Sequence, residues 1–280
     1  MALTDEITMT RGVDRSLVTV DHFGPELESL LRTRLAELCW GDTEAHGDPE
    51  YFSLSRTAEE FLDRFKEKSD ETQTGMLGEL LSHLLVPLVH PELERTALLF
   101  NKEERNIKKG FDLTFRNDSS ALWYGEVKSG ALTKRSAAAS VRSLLSAARK
   151  DLFLKLTSRK GLTLWQSAAH DAHLVLGTDE SLPVKQLYRR DEQSARKAKS
   201  YHRRAILIAV LFHPIELEKL AHVDVKFPKP RANSKSAGYK FDETILVAVQ
   251  KSTLEKLIAF IQNCIADEAD DSNIEAATQQ

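Results

Sequence analysis

The sequence has few of the residues that mark extracellular or membrane proteins. Only two cysteines, Cys39 and Cys264, occur in 280 residues, so neither a disulfide framework nor a cysteine-rich metal site is expected. No apolar run approaches the roughly 18 residues that a membrane-spanning helix needs. Residues 1–10 lack a basic segment followed by an apolar one, so no signal peptide is expected. These features predict a cytoplasmic protein that does not associate with membranes.

Motifs for nucleotide binding and for serine-based hydrolysis are also missing. The sequence contains neither a GxxxxGK[ST] nor a GxGxxG phosphate-binding pattern, so a nucleotide cofactor of its own is not expected. The GxSxG pattern of many serine hydrolases does not occur either.

Charge is almost balanced overall but unevenly distributed. The formal net charge is -3, yet residues 1–70 carry 16 acids against 8 bases, and residues 101–204 carry 22 bases against 11 acids. Residues 267–280 form an acidic tail that we expect to be disordered. The basic middle of the chain suits a polyanion such as a nucleic acid, although basic helices that simply face water would give the same count.

Hydrophobic periodicity predicts an α/β protein. Helical spacing of apolar residues is found at 26–38, 55–68, 74–89, 135–157, 184–204 and 252–266. Strand-like alternation or short apolar runs are found at 16–23, 110–116, 121–128, 172–177, 205–212 and 244–250. We predict an acidic, mostly helical N-terminal extension over 1–70, one α/β domain over 71–266 and a disordered tail over 267–280.

The segment 110–128 predicts a hairpin with two facing acids. If its turn centres near Ser119, cross-strand partners have numbers that sum to 238, which places Asp112 opposite Glu126. Their side chains would then lie about 5 Å apart on one face. Lys128 points to the same face, whereas Val127 points to the other. We therefore expect two acids and one lysine on the polar face of an otherwise apolar hairpin.

Two acids and a lysine on one face match what phosphodiester hydrolysis requires. Facing carboxylates repel unless a cation or a shared proton compensates them. Mg²⁺ binds carboxylate oxygens and can activate a bound water, and a nearby lysine can orient that water or bind the phosphate. An exposed hairpin with ordinary charges remains the alternative, because the D-x13-E-x-K pattern is short enough to occur by chance.

The chain has a helix with Glu79, then a strand with Asp112, then a strand with Glu126-Val127-Lys128, and then a basic helix. This order resembles the core of the PD-(D/E)xK nuclease superfamily, to which restriction endonucleases belong. The resemblance covers about residues 73–213 and implies a mixed β-sheet flanked by helices. It implies that Asp112 and Glu126 bind Mg²⁺ (or Mn²⁺), that Lys128 is the catalytic lysine, and that Glu79 on the preceding helix completes the site. Phe111 stands where many members have proline, and Glu79 is assigned only by its position in the order of elements.

Three short motifs resemble the HamA family more narrowly, the nuclease subunits of Hachiman antiviral defence systems. They are Gly75-x-x-Gly78-Glu79, Lys109-Gly110-Phe111-Asp112 and Gly125-Glu126-Val127-Lys128. This resemblance implies a bacterial DNase that is restrained by a helicase partner, HamB, and released when infection is sensed. A non-catalytic scaffold that binds nucleic acid or a helicase, and an RNase on the same fold, remain open alternatives.

Several basic residues are candidates for contacts with nucleic-acid phosphates, which give affinity without sequence readout. They are Lys108, Lys109, Arg135, Arg142, Arg196, Lys197 and Arg203. His83 lies one turn after Glu79 and is interpreted as a surface histidine. His170 and His173 have helical spacing but no evident partners for a zinc site.

Overall fold

The computed structural model describes residues 6–12, 14–20, 22–100, 110–117, 121–132, 136–157, 162–197, 204–212, 240–241, 243–251 and 254–265. Within these residues the strands are β1 (Ile7–Arg11), β2 (Arg15–Val20), β3 (Glu94–Arg95), β4 (Leu113–Asn117), β5 (Ala121–Ala131), β6 (Arg204–Phe212) and β7 (Glu243–Lys251). The helices are α1 (Pro25–Trp40), α2 (Asp42–Gly47), α3 (Leu54–Lys66), α4 (Asp70–Val89), α5 (Ala137–Thr157), α6 (Leu162–Arg196) and α7 (255–265).

All seven strands form one mixed sheet in the order β1-β2-β7-β6-β5-β4-β3. The four central strands β2, β7, β6 and β5 are parallel, and antiparallel pairs flank them at both ends. The predicted α/β class, with a mixed sheet between helices and further helices near the N-terminus, is confirmed. None of the described helices combines the length and the apolar character that crossing a bilayer requires.

Alternation along the central strands builds two apolar layers. In β6, Ile206, Ile208 and Val210 lie in one buried cluster with residues of α1, α3, α4 and α7. Their neighbours Leu207 and Ala209 lie in a second cluster with residues of α5 and α6. Because both faces are covered, these strands read as continuous apolar runs in the sequence, as parallel strands generally do.

The N-terminal region shares the main core. Strand β2 pairs in parallel with β7, so the region extends the sheet itself. Leu31 of α1 and Phe61 of α3 lie in the same buried cluster as Leu80 of α4. The proposed division near residue 70 is therefore not a boundary between two hydrophobic cores.

The predicted strand at 172–177 is wrong, because this segment belongs to α6. Helix α6 runs from Leu162 to Arg196 with a kink at Gly177, where the backbone φ is 74°. Ala172, Leu174 and Val175 are buried against neighbouring elements. An apolar run of six residues cannot by itself distinguish a buried strand from a buried turn of helix.

Three short elements were not anticipated, and some predictions cannot be compared with the structure. Strand β1 and the two-residue strand β3 had no prediction, and the six-residue helix α2 lies in the polar segment 41–49, which was expected to be a loop. The hairpin turn at 118–120 and the predicted tail at 267–280 lie outside the described residues.

Candidate active site

The β4–β5 hairpin has the predicted register. Leu113 pairs with Gly125 and Asn117 with Ala121, so each pair of numbers sums to 238. Asp112 immediately precedes β4, and Glu126 lies within β5. A Cβ atom on Gly125 would lie 2.8 Å from the Cβ of Leu113, so this step of the ladder favours glycine.

Asp112 and Glu126 meet at one ammonium group, that of Lys155 on α5. The Nζ atom of Lys155 lies 2.9 Å from Asp112 Oδ1 and 2.6 Å from Glu126 Oε2. The expectation that the two acids face each other on one side of the sheet is therefore supported by a shared partner. Lys155 was missed by the sequence analysis because α5 is separated from the hairpin in sequence and carries several lysines and arginines.

Lys128 joins the same cluster through Glu126. Its Nζ atom lies 3.0 Å from Glu126 Oε1 and 2.9 Å from Asp151 Oδ2. Asp151 and Lys155 are four residues apart on α5, so they project from one side of the helix. The result is an alternating row of charges in the order Asp112, Lys155, Glu126, Lys128, Asp151.

Asp112 is held by contacts with strand β5 and with helix α4. Its Oδ2 atom accepts a hydrogen bond of 2.9 Å from the backbone N–H of Val127. On the other side, His83 Nε2 lies 3.2 Å from the backbone oxygen of Asp112. Because a carbonyl oxygen only accepts, this contact requires the proton on Nε2.

The expectation that His83 is a surface histidine is wrong. Its side chain is buried between α4 and the segment that carries Asp112. Almost every residue of α4 from Leu77 to Val86 is buried, so the helix has no solvent face there. A helix that is buried all round gives no amphipathic signal from which to separate surface residues.

The hairpin face that carries the acids is largely covered rather than exposed. Glu126 retains only 2% of its side-chain exposure, whereas Asp112 retains 20%. Below them, Tyr124 is buried against Trp165 and Tyr188 of α6. Helix α5 covers this face at the acids themselves, since Lys155 contacts both of them, and α6 covers it at Tyr124.

Burial and charge shift the protonation of this cluster. Burial, together with the charge of Asp112, raises the pKa of Glu126 to about 7, although Lys155 and Lys128 oppose the shift. Burial favours a lower pKa for Lys155, but Asp112 and Glu126 outweigh it and the pKa is raised. Glu126 therefore titrates near neutral pH while Lys155 stays charged.

Helix α4 brings Glu79 to the neighbourhood of the hairpin. Its predecessor Gly78 packs against Ser129 of β5, and His83, one turn further on, contacts Asp112. The Glu79 side chain is partly buried. Among the described residues no three His, Cys, Asp or Glu side chains converge as a metal-binding group, so the role of Glu79 as a third ligand stays a proposal.

Comparison with protein families decides the relationship. The HamA family model matches residues 19–272, which is most of the chain. The chain belongs to the HamA family. No match is found among curated proteins.

Membership of the HamA family makes this a Hachiman-associated defence protein, as the three short motifs indicated. The matched segment contains all four predicted site residues and also Asp151 and Lys155. The family relationship therefore extends over both layers that build the charged row.

The basic residues of this HamA protein that were predicted to bind nucleic acid are only partly visible. Arg142 is exposed on α5, the helix that also carries Lys155. Arg196 and Lys197 are exposed at the end of α6, where Arg196 pairs with Glu192 at 2.8 Å. The remaining candidates lie outside the described residues: Lys108, Lys109, Arg135 and Arg203.

A cavity of about 780 Å³ lies elsewhere in this HamA protein, between the β3–β4 edge and α6. Glu94, Arg116 and Arg190 are among its charged lining residues, and none of the predicted site residues line it. The charged row is thus separate from this cavity.

Proposed function

We propose that this HamA protein is a metal-dependent nuclease that hydrolyses DNA without strong sequence specificity. It acts as the effector of the Hachiman system under the control of its helicase partner, HamB. The observation that carries the proposal is the meeting of Asp112 and Glu126 at one ammonium group, with Lys128 beside them.

The residues present fit a hard divalent cation. Two carboxylates from neighbouring strands direct one oxygen each to a common point, 2.9 and 2.6 Å from the Lys155 nitrogen. Oxygen ligands of this kind favour Mg²⁺, and Mn²⁺ can substitute. A bound cation would neutralise charge on the phosphate and lower the pKa of a coordinated water.

The protein's own residues would divide the remaining work. Asp112 and Glu126 hold the cation, and the N–H of Val127 fixes the Asp112 carboxylate by a 2.9 Å hydrogen bond. Lys128, which is 30% exposed, can donate to a phosphate oxygen or orient a water from beside Glu126. Glu79 is proposed as the accessory acid from α4.

A non-catalytic scaffold that binds nucleic acid or a helicase is the second candidate. Against it stands the near-complete burial of Glu126 beside Asp112. Burial of one carboxylate next to another costs stability, and a scaffold would gain nothing in return. An RNase would need the same groups, since the phosphodiester is common to DNA and RNA, and a 2′-OH reader has no sequence signature here.

Control by a partner fits the architecture better than control by a detachable N-terminal cap. Residues 7–66 contribute β1, β2 and helices α1 to α3, and several of their side chains belong to the main core. A region built into the core cannot swing away from the site without unfolding. The acidic surface of this region, with 16 acids against 8 bases in residues 1–70, is our candidate for the HamB interface.

The full-length chain, alone and co-expressed with HamB, should be incubated with DNA and with RNA in Mg²⁺ or Mn²⁺, with EDTA as control. We expect EDTA-sensitive cleavage of DNA by the isolated chain, and suppression of this cleavage when HamB co-purifies with it. Preferential cleavage of RNA would favour the RNase. Inertness toward both nucleic acids with either metal would favour the scaffold.

A further inference from the structure

Lys155 lies where a cation would bridge Asp112 and Glu126. Of the four carboxylate oxygens, Asp112 Oδ2 accepts from Val127 N–H and Glu126 Oε1 faces Lys128. The other two, Asp112 Oδ1 and Glu126 Oε2, both face Lys155. A metal ion that binds both acids through these facing oxygens would have to take the place of this ammonium group.

We propose that Lys155 is an internal counter-ion that holds the metal-free site together and must leave before a divalent metal can bind. This inference rests on the proposed function, since it concerns the same site. It assigns to Lys155 a role distinct from that of Lys128, which contacts the opposite oxygen of Glu126 and also Asp151.

Electrostatics explain why a counter-ion is needed. Glu126 retains 2% exposure, so water cannot compensate its repulsion from Asp112. The Nζ atom of Lys155 supplies a compact positive charge at hydrogen-bond distance from both acids. With Lys128 and Asp151 included, three carboxylates face two ammonium groups.

The structure also provides a way out for the ammonium group. The Lys155 side chain is 26% exposed, and it ends a flexible four-carbon stem on α5. Rotation of this stem would move the charge into water while α5 stays in place. A divalent ion bound by Asp112 and Glu126 would then not be repelled at close range by the Lys155 charge in addition to that of Lys128.

Removal of the Lys155 charge should therefore have two opposite effects. Metal-free protein should become less stable, because two facing carboxylates lose their partner. Metal affinity should rise, because no ammonium group has to be displaced. A lysine with a purely structural role would lower both quantities. A lysine that stays in place beside the metal would also raise metal affinity when its charge is removed, so the exposure of Lys155 on metal binding must be measured as well.

The test is calorimetric titration of the full-length protein with Mn²⁺, together with thermal melting in EDTA and in Mn²⁺. We expect Lys155→Gln to bind Mn²⁺ at least about tenfold more tightly than the wild type, and to melt at a lower temperature in EDTA. Lys155→Arg keeps a cation at this position and should bind Mn²⁺ close to wild-type affinity. Lys150→Gln removes an exposed lysine from the same helix and should change neither quantity.

A second measurement needs no variant. Brief acetylation of the wild type, read out by mass spectrometry, should modify Lys155 slowly in EDTA and faster in saturating Mn²⁺, with exposed Lys150 as reference. Unchanged or weaker Mn²⁺ binding by Lys155→Gln would overturn the inference. Unchanged acetylation of Lys155 in saturating Mn²⁺ would overturn it as well, whether or not that variant folds.

Failure of this inference can be told apart from failure of the proposed function. Equal Mn²⁺ binding by wild type and Asp112→Asn would remove the metal site itself and with it the proposed function. Binding that depends on Asp112 but does not tighten in Lys155→Gln would remove only the role of Lys155.

Discussion

Gly78 of α4 and Ser129 of β5 approach so closely that no side chain fits between them. A Cβ atom on Gly78 would lie 1.8 Å from Ser129 Oγ and 3.3 Å from the Cβ of Val210. Ser129 directly follows Lys128, so this contact places α4 beside the end of the Glu126-Val127-Lys128 run. The same helix then brings His83 to the backbone of Asp112.

Substitution of Gly78 by alanine should disturb the packing of α4 against β5. We expect Gly78→Ala to lower the free energy of unfolding by about 1–3 kcal/mol, as overpacking of a tight contact does, and to reduce nuclease activity. Gly75→Ala is the matched control, because a Cβ there meets open space in the same helix. It should stabilise the protein by about 0.5–1 kcal/mol through helix propensity.

Urea unfolding of both variants measures the difference. Ser129→Ala, which removes the hydroxyl oxygen from the contact, should recover part of the loss in the Gly78→Ala background. Equal effects of alanine at positions 75 and 78 would contradict the proposed packing.

Glu126 should make the stability of the metal-free protein depend on pH. Its pKa is raised from 4.5 to about 7, chiefly by burial, so the folded state binds this proton more tightly than the unfolded state. The stabilisation is present below pH 4.5 and is lost as pH rises through 7. In EDTA the wild type should lose about 1–3 kcal/mol relative to Glu126→Gln between pH 5 and pH 8.

Urea titrations of wild type and Glu126→Gln at both pH values provide this comparison. The quantity of interest is the change in their difference, because a glutamine also alters contacts with the two lysines at every pH. A difference that stays constant from pH 5 to pH 8 would show that Glu126 does not titrate in this range.

Asp151 should help to raise the pKa of Lys128. Burial favours a lower pKa for Lys128, but Glu126 and Asp151 outweigh it and raise the pKa. Asp151→Asn removes one of these partners, so the alkaline limb of the rate against pH should move to lower pH if Lys128 acts in its charged form. Asp179→Asn, an exposed acid on α6, is the control. An alkaline limb that does not move in Asp151→Asn would show that Asp151 does not affect the pKa of the group that sets this limb.

The part of the site that one hairpin encodes could be predicted from the sequence. Alternation in the two strands and a turn near Ser119 give the register that pairs Leu113 with Gly125, and hence the common face of Asp112 and Glu126. These relationships span fewer than twenty residues. The position of the turn sets the register, and a slip of one residue would move every apolar side chain to the opposite face.

The part that depends on tertiary packing could not be predicted. Lys155 and Asp151 reach the hairpin from α5, and nothing in their helical spacing distinguishes them from its exposed charges. The burial of Glu126 follows from the packing of α5 on β5, where Lys155 lies 2.6 Å from Glu126 Oε2, and the sequence pattern does not show which helix covers this strand. His83 could not be placed because α4 is apolar on nearly every side.

The central claim is that Asp112 and Glu126 bind the metal with which this HamA protein cleaves DNA. Its most direct test is single-turnover cleavage of DNA in saturating Mn²⁺ by the wild type, Asp112→Asn and Glu126→Gln, with thermal melts to show that each variant is folded. We expect each substitution to reduce the rate by about a thousandfold or more, since a metal contributes several kcal/mol to such a reaction. Cleavage by either folded variant at close to the wild-type rate would contradict the claim.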